Sequence, residues 1–303
     1  MKSFFHILLI ALLVVSISIS LLANVKSSGF YIPDSIAEVT LRYRVVNNLI
    51  VLPVTINQNI EVNLVLDTGC RNLVLFGRRF QKLFPLLQQS RVQFSGLGNG
   101  NPVQGKVSLD NHVSIDAVIG TKIPVVIVPD LNLFGTFNQI HGVIGYDVFQ
   151  KFEVEINPVA RTITFRSAST ATMPQQFTAI PIRIVDSRPI LNCEMVFTKN
   201  NTHLCDLMID TGSALGLLLK TTAIEKFDTQ AIQPLGRGFN GYLYGIHTST
   251  EKLLIKDLSF YDISTGIIQS PWHNYASLGM DVLKDYAIVL NYLKGYAGFK
   301  KVS

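Results

Sequence analysis

The chain has 303 residues, of which 48% are hydrophobic and 16% are charged, and its formal net charge is +5. This length and composition provide for a sizeable core and for about two domains, so they exclude a disordered chain. The Lys and Arg residues form no stripe with interleaved aromatic residues, which argues against nucleic-acid binding.

The N-terminus carries Lys2 followed by an apolar segment at residues 4–23. About 20 apolar residues can span a bilayer, whereas the apolar region of a cleaved signal peptide is usually about 7–15 residues long. The length favours a membrane anchor, but serines dilute its second half and small residues near Ala23 suit signal-peptide cleavage. For residues 1–25 both alternatives stay open. With either one we expect an extracytoplasmic protein, secreted, periplasmic or anchored in a membrane.

Short apolar runs follow, and Asn47-Asn48 and the segment Asn57–Asn59 interrupt them in a pattern typical of β-hairpins. They lead into LVLDTGC, residues Leu64–Cys70, where three apolar residues precede Asp67 and a Thr-Gly pair supplies a turn. This pattern predicts a buried strand that ends by placing a carboxylate in the interior. The next stretch, NLVLFGRRFQKLF, predicts a strand and then a short helix.

The segment Ser95–Leu109 is rich in Gly and Asn and is bounded by residues that can pair as strands. It predicts a hairpin with a mobile, glycine-rich tip. Strand-like VSIDAVI and KIPVVIVP come next, then a corner at Gly145 and the strand FEVEIN. Residues 167–176 are small and polar with one proline and no periodicity, which predicts a linker.

The second half repeats the first. LMIDTGS, residues Leu207–Ser213, lies 143 residues after the first Asp-Thr-Gly copy in a chain of 303 residues, and half-chain spacing indicates an internal repeat. A second glycine-rich hairpin is predicted at Leu235–His247. It contains Gly236-x-Gly238-x-x-Gly241, which formally matches the dinucleotide-binding fingerprint, but β-branched and aromatic residues follow where that fingerprint needs a helix. We therefore predict no nucleotide cofactor.

Each Asp-Thr-Gly copy is followed by an apolar-apolar-Gly signature, in HGVIGYDVFQKFEVEIN (His141–Asn157) and in SLGMDVLKDYAIVLN (Ser277–Asn291). With these motifs the chain resembles the aspartic peptidases of the pepsin and retropepsin group over roughly residues 38–300. The resemblance implies an all-β fold with two pseudo-symmetric, retropepsin-like lobes in a bilobal acid-protease arrangement. The lobes are expected at residues 36–166 and 177–303, each with one catalytic Asp.

The resemblance also implies the site. Asp67 and Asp210 are the expected catalytic pair, which shares one proton and activates a water to attack a peptide carbonyl, so neither a metal nor a cofactor is expected. An extended peptide or protein is the expected partner, and one chain supplies both lobes, so a monomer is expected. The expected supporting residues are Thr68, Gly69, Cys70, Thr211, Gly212 and Ser213. The expected flap residues are Gly96, Gly98, Gly100, Gly238, Gly241 and Tyr242.

Three cysteines follow the apolar segment. Cys193 and Cys205 flank a predicted turn at Lys199–Thr202 and can face each other across two strands, so the alternatives are a disulfide and buried thiols. Cys70 stands where Ser, Thr or Ala is usual in the resembled family. Because a thiol is a weak hydrogen-bond donor, we expect the ionised form of one carboxylate to be less stabilised. The acidic limb of the bell-shaped pH–rate profile should then lie at higher pH. His and Cys show no metal-ligand spacing.

Two other classes of protein remain as alternatives. A catalytically silent peptide-binding protein could use the same cleft, and a β-barrel could bind an apolar ligand. The presence of both aspartates favours an endopeptidase over the silent binding protein, and a barrel would need no paired Asp-Thr-Gly.

Overall fold

The computed structural model describes residues 28–85, 91–94, 96–129, 139–198, 201–221, 231–270 and 275–302. The N-terminal apolar segment lies outside these residues. No helix in the described part of the chain is long and apolar enough to cross a membrane. The described residues form mostly β-strands, which confirms the predicted all-β class. The strands are arranged in three sheets.

The first sheet contains nine strands from the first half of the chain. They are β1 (Gly29–Tyr31), β3 (Arg44–Val46), β4 (Leu49–Ile56), β5 (Ile60–Leu66), β6 (Leu73–Phe76), β7 (Arg91–Phe94), β8 (Val103–Ile115), β9 (Val118–Val128) and β10 (Gly142–Ile144). Their order is β1-β9-β6-β10-β5-β4-β8-β7, and β3 pairs with β4.

The second sheet contains eight strands from the second half. They are β14 (Arg183–Val185), β15 (Arg188–Thr198), β16 (Asn201–Ile209), β17 (Leu217–Thr221), β18 (Ile232–Gly238), β19 (Gly241–Ile255), β20 (Leu258–Gln269) and β21 (Ala276–Leu278). Their order is β14-β15-β16-β21-β17-β20-β19-β18. The succession β5-β10-β6-β9 of the first sheet therefore has its counterpart in β16-β21-β17-β20.

The third sheet takes strands from both halves of the chain. It contains β2 (Glu38–Arg42), β11 (Phe152–Asn157), β12 (Thr162–Ser167), β13 (Thr178–Pro181), β22 (Tyr286–Asn291) and β23 (Tyr296–Lys301), in the order β13-β23-β22-β11-β12-β2. The antiparallel pair β11 and β22 joins the halves, with Val154 opposite Leu290. Residues 168–177, between β12 and β13, contain neither helix nor strand.

Three short helices complete the described structure. A 3₁₀ helix (Arg78–Lys82) follows β6, as predicted for that stretch. Helices α1 (Tyr146–Phe149) and α2 (Met280–Leu283) follow the glycines of the two apolar-apolar-Gly signatures and precede β11 and β22. Each repeat of the signature therefore forms the predicted sequence of strand, helical turn and strand.

Turn chemistry in the first half agrees with the sequence at two hairpins and differs at a third. Asn47 and Asn48 have φ of 50° and 62° and connect β3 to β4, and Asn57, at 50°, begins the turn between β4 and β5. These are left-handed conformations that Asn tolerates. The stretch VSIDAVI, predicted as one strand, instead bends at Asp116, which has a φ of 54° and connects β8 to β9. The sequence did not reveal this turn because Asp116, and not the glycine that usually marks such a turn, adopts the left-handed conformation.

One large hydrophobic cluster runs through strands of all three sheets. It includes the fully buried rings of Phe149, Phe165 and Phe299. Burial of one such side chain contributes about 1.5–3 kcal/mol. This shared core, with the third sheet, holds the two halves in a fixed relation.

Candidate active site

Two buried strands deliver the aspartates. β5 and β16 end one residue before Asp67 and Asp210, and each pairs in parallel with a three-residue strand, β10 or β21. The N–H of Asp67 donates to the carbonyl of Ile144 at 2.8 Å, and the N–H of Asp210 donates to the carbonyl of Leu278 at 2.9 Å. The two Asp backbones are therefore anchored in the same way.

The Asp-Thr-Gly turns bind each other through their threonines. The hydroxyl oxygen of Thr211 accepts the N–H of Thr68 at 3.1 Å, and that of Thr68 accepts the N–H of Thr211 at 3.0 Å. Each hydroxyl also donates to a carbonyl of the opposite strand, Thr68 to Ile209 and Thr211 to Leu66, both at 2.7 Å. Both threonines are fully buried. This reciprocal bonding positions one turn against the other.

The two carboxyl groups face the same small space. The N–H of Gly69 donates to Asp67 Oδ1 at 2.7 Å, and that of Gly212 donates to Asp210 Oδ1 at 3.1 Å. A Cβ at Gly69 would lie 3.1 Å from Asp67 Oδ1 and 3.5 Å from Asp210 Oδ1, and a Cβ at Gly212 would collide with the Asp67 carboxyl group. Only glycine lets the backbone come this close to the carboxylates.

The apolar-apolar-Gly signatures pack directly under these turns. A Cβ at Gly145 would collide with the carbonyls of Asp67 and Cys70, and a Cβ at Gly279 would collide with the carbonyl of Leu215. The next residue in each signature donates its N–H to the turn, Tyr146 to the carbonyl of Cys70 at 2.9 Å. Contact with the Asp-Thr-Gly turn therefore explains the repeated glycine.

Burial makes both carboxyl groups weaker acids than usual. Burial raises the pKa of Asp67 to about 6, against the N–H of Gly69 and the charge of Arg188. Burial, followed by the negative charge of Asp67, raises the pKa of Asp210 to about 7, and the positive charge of Lys220 opposes the rise. Because the two titrations are coupled, these values belong to the pair. The pair favours a state with one shared proton in weakly acidic solution.

Cys70 and Ser213 support the turns through their backbones. The N–H of Cys70 donates to the carbonyl of Asp67 at 3.2 Å, and the N–H of Ser213 donates to the carbonyl of Asp210 at 3.3 Å. The Cys70 thiol donates to the carbonyl of Asn72 at 3.1 Å, and its side chain packs in an apolar cluster. The Ser213 hydroxyl accepts the N–H of Leu215. The expected loss of carboxylate support at Cys70 therefore has no basis in the side-chain geometry, since the thiol is directed elsewhere.

Cys193 and Cys205 are free thiols in the structure, which holds no disulfide between them, and Cys193 is buried. The two residues are directly opposite each other on β15 and β16, as the sequence predicted. The Sγ of Cys193 donates to the carbonyl of Cys205 at 3.5 Å. That bond directs the thiol at the partner's backbone and leaves the two sulfurs unjoined.

Two hairpin tips meet over the carboxylates. The strand pairs β7–β8 and β18–β19 form the predicted glycine-rich hairpins. Asn240 accepts the N–H of Gly98 at 2.8 Å and donates its amide to the carbonyls of Gly98 and Gly100, at 2.8 Å and 3.0 Å. A Cβ at Gly100 would collide with the carbonyl of Asn240, and one at Gly96 would lie 2.7 Å from its Oδ1. These glycines allow the tips to touch.

Aromatic contacts strengthen the same junction. The ring of Phe239 stacks on Phe94, with centroids 6.2 Å apart, and meets Phe76 edge-on at 5.6 Å. Gly241 has a φ of 121°, which permits the turn after Asn240. Tyr242 is 54% exposed and its ring lies beside Tyr244, so it belongs to the outer face of the hairpin.

A cavity of about 740 Å³ lies between the carboxylates and the hairpin tips. Of the predicted residues, its lining includes Asp67, Gly69, Asp210, Gly212, Ser213 and Gly238. The remaining predicted residues lie in the turns or tips around it. Sequence reasoning missed three cationic lining residues, Arg188, Lys220 and Arg237, as well as Tyr275. A residue-by-residue comparison of the two repeats could have identified the first two.

Within the described ranges, no group of three His, Cys, Asp or Glu side chains is placed to hold a metal ion. The Gly236-x-Gly238-x-x-Gly241 motif spans β18, the tip and the start of β19, so a strand follows it.

Comparison with known proteins gives one family match. A family model described as Aspartyl protease matches residues 52–148, from β4 through the first Asp-Thr-Gly turn to α1. No curated protein matches the chain. The family match covers about a third of the chain and supports a protease-like function of the hydrolase class.

Proposed function

We propose that this chain is an aspartic endopeptidase in which Asp67 and Asp210 form one catalytic dyad. The observation that carries this proposal is the placement of both carboxyl groups beside Gly69, with Oδ1 atoms 3.1 Å and 3.5 Å from the position of a Cβ there. Both carboxyl groups line the same cavity. Two carboxyl groups so close cannot both ionise freely, and that competition creates an acid and a base at one pH.

The corresponding strand orders of the first two sheets support two pseudo-symmetric lobes, residues 36–166 and 177–303, with a linker at residues 167–176. Equivalent strands end at Asp67 and Asp210, and the Thr68–Thr211 bonds relate the turns reciprocally. Because each lobe contributes one Asp, a single chain suffices for the site. We therefore propose that the active form is a monomer.

In the proposed reaction, the ionised carboxylate removes a proton from a water held between the two groups, and the water oxygen attacks the scissile carbonyl carbon. The protonated carboxyl group gives its proton to the carbonyl oxygen. When the tetrahedral intermediate collapses, the C–N bond breaks and the amine nitrogen takes the proton that the base removed from the water. The other carboxylate takes back a proton from a hydroxyl group of the intermediate, so the dyad again holds one proton. General acid–base assistance of this kind contributes about 10²–10⁴-fold. Neither a nucleophilic side chain nor a metal takes part.

The two hairpins are proposed to act as flaps over an extended peptide. The tips meet above the carboxylates through Asn240, so substrate entry requires their separation. Leu97 and Phe239 project from the tips into the cavity lining. Closure of such lids excludes water from the reacting groups and positions the substrate.

The N-terminal segment 4–23 is proposed to export or anchor the protein, on the strength of its apolar sequence. Protease accessibility of the folded part in intact cells tests this placement. Degradation of the folded part by an externally added protease is expected.

The proposed activity is tested by incubating the full-length protein in detergent with a peptide library between pH 4 and 8, with and without a transition-state-mimicking inhibitor. Internal cleavage that the inhibitor blocks is expected. A catalytically silent peptide-binding protein would bind library peptides without cutting them. Activity proportional to protein concentration, with sedimentation as a monomer, is expected. A dependence on the square of concentration would show that the two Asp come from different chains.

A further inference from the structure

The two halves of the cleft carry different chemistry at corresponding positions. Leu49 and Arg188 both follow a two-residue turn, and each is opposite a valine, Val46 or Val185, in its hairpin. Both residues line the cavity. Leu49 is buried and apolar. The first half therefore offers an apolar surface at the position where the second half offers the guanidinium of Arg188.

A second pair of positions differs in the same direction. Val74 pairs with Val143 in the first sheet, and Leu218 pairs with Ser277 in the second. Two residues further along these strands lie Phe76 and Lys220. Phe76 is buried among apolar residues, whereas Lys220 lines the cavity. Both replacements of an apolar residue by a cation therefore fall in the second half.

Arg188 and Lys220 act on the same space. The positive charge of Arg188 opposes the rise in the pKa of both Asp67 and Asp210, and that of Lys220 opposes the rise for Asp210. Both cations therefore lie near the dyad. The Nζ of Lys220 is 4.6 Å from the ring centroid of Tyr275, which lies on the same side of the cavity. Burial lowers the pKa of Lys220 to about 8; the negative charge of Asp210 opposes this decrease, and the positive charge of Arg188 adds to it.

The cations exceed the negative charge that the site provides. The Arg188 guanidinium donates to the backbone carbonyl of Asp186 at 3.3 Å, but among the described residues none of the ion pairs within 4.0 Å involves Arg188 or Lys220. The dyad carries one negative charge when it holds one proton, and Arg237 adds a third cation to the lining. Half-buried cations without a matching anion are costly. An anionic substrate group placed beside them would remove that cost.

We propose that Arg188 and Lys220 form a subsite for a substrate carboxylate, next to the dyad on the side contributed by the second half. This inference rests on the proposed peptidase function and specifies its substrate class. A planar guanidinium can bind a carboxylate through two parallel hydrogen bonds, and the ammonium adds a second donor. The first half, with Leu49 at the corresponding position, takes an apolar side chain. A peptide with an acidic residue on one side of the scissile bond fits this arrangement.

The experiment uses the full-length protein in detergent and matched peptides that differ only by Glu or Gln at one position, on either side of the scissile bond. For the preferred position we expect kcat/KM to be at least about tenfold higher for Glu than for Gln, consistent with one charged hydrogen-bonding pair. The variants Arg188→Leu, which copies the first half, and Lys220→Met should each reduce this ratio several-fold. Peptides with free and amidated C-termini distinguish a side-chain carboxylate from a terminal one.

The matched control removes the same two charges elsewhere. Arg42 and Lys300 are exposed on the third sheet and do not line the cavity. The double variant Arg42→Leu, Lys300→Met should keep the Glu-to-Gln ratio of the parent. Because Lys220 affects the dyad's titration, each variant is measured at its own pH optimum.

The outcomes separate the subsite from the peptidase function. Cleavage of Glu and Gln peptides at equal rates, or a preference that survives in Arg188→Leu and Lys220→Met, overturns the subsite and leaves the peptidase intact. If no peptide is cleaved, the peptidase proposal fails, and competitive binding of reduced-amide Glu and Gln peptides decides on the subsite. Tighter binding of the Glu peptide that both variants abolish supports the subsite, and equal binding overturns it.

Discussion

Thr68 and Thr211 exchange hydrogen bonds across the site, each accepting the other's N–H through its hydroxyl oxygen, at 3.1 Å and 3.0 Å. Each hydroxyl proton goes to a carbonyl at the end of the opposite Asp-bearing strand. The relative position of the two carboxyl groups is therefore determined by buried bonds between the turns. Any change to one turn is transmitted to the other.

Removal of either threonine hydroxyl should destabilise the protein and reduce its activity. Thr68→Ala and Thr211→Ala each leave a buried N–H and a buried carbonyl without this partner, so we expect a loss of about 2–4 kcal/mol in the free energy of unfolding. Thr→Ser at the same positions keeps the hydroxyl and is the matched control. Urea denaturation measures the difference, and equal stability of the Ala and Ser variants would contradict the bracing role.

Replacement of one catalytic carboxyl group should abolish turnover. Asp67→Asn and Asp210→Asn each remove half of an acid–base unit, so we expect kcat to fall by at least about 10³-fold, and the double variant to lose little more than either single one. Circular dichroism verifies that the fold is kept. Activity that survives in a purified, folded single variant would contradict the dyad.

The pH dependence of stability should report the raised pKa values of the dyad. Because the folded state holds protons that the unfolded chain releases above its ordinary Asp pKa, the dyad's contribution is most favourable at low pH and is lost as pH rises through about 6 to 7. Asp67→Asn removes part of this proton uptake. Urea midpoints at pH 5 and pH 8 should therefore differ less in the variant than in the parent, and an identical decrease in both would contradict the assignment.

The basic limb of the activity profile should respond to Lys220. Its positive charge lowers the pKa of Asp210, so Lys220→Met should let the dyad keep its shared proton to higher pH. We expect the basic limb of kcat/KM to move upward, measured with a Gln peptide so that substrate charge does not contribute. Lys300→Met serves as the charge control. A downward shift would show that Lys220 acts on the rate in another way.

Cys70→Ser should leave the pH profile unchanged. The Cys70 thiol donates to the carbonyl of Asn72, and a serine hydroxyl at this position can make the same bond. Neither the thiol nor that hydroxyl then donates a hydrogen bond to a carboxylate of the dyad. The buried apolar surroundings should make the variant less stable by about 1 kcal/mol. A downward shift of the acidic limb would instead restore the expectation drawn from the sequence, that a thiol supports the dyad less well than a hydroxyl.

Contact between the hairpin tips should influence substrate capture. Asn240→Ala removes three hydrogen bonds to Gly98 and Gly100, so we expect kcat/KM to fall by about tenfold as the closed arrangement becomes less populated. Asn240→Asp keeps the acceptor for the N–H of Gly98 but loses both donated hydrogen bonds, so its kcat/KM should also lie below that of the parent. An unchanged kcat/KM in Asn240→Ala would separate the tips from catalysis.

The amino-acid sequence by itself determined the local features of this protein. Alternating apolar residues and Asn-rich turns predicted the strands around Asp67, and the repeat at Asp210 predicted a second turn of the same kind, because strand and turn formation depend on neighbouring residues. Only the tertiary structure decided how residues far apart in the chain meet. The Thr68–Thr211 exchange, the Asn240 contact between hairpins and the cations Arg188 and Lys220 beside the dyad all depend on sheet order and packing, which local patterns do not encode. For the same reason the structure, rather than the residue type, showed that the Cys70 thiol is directed away from the carboxylates.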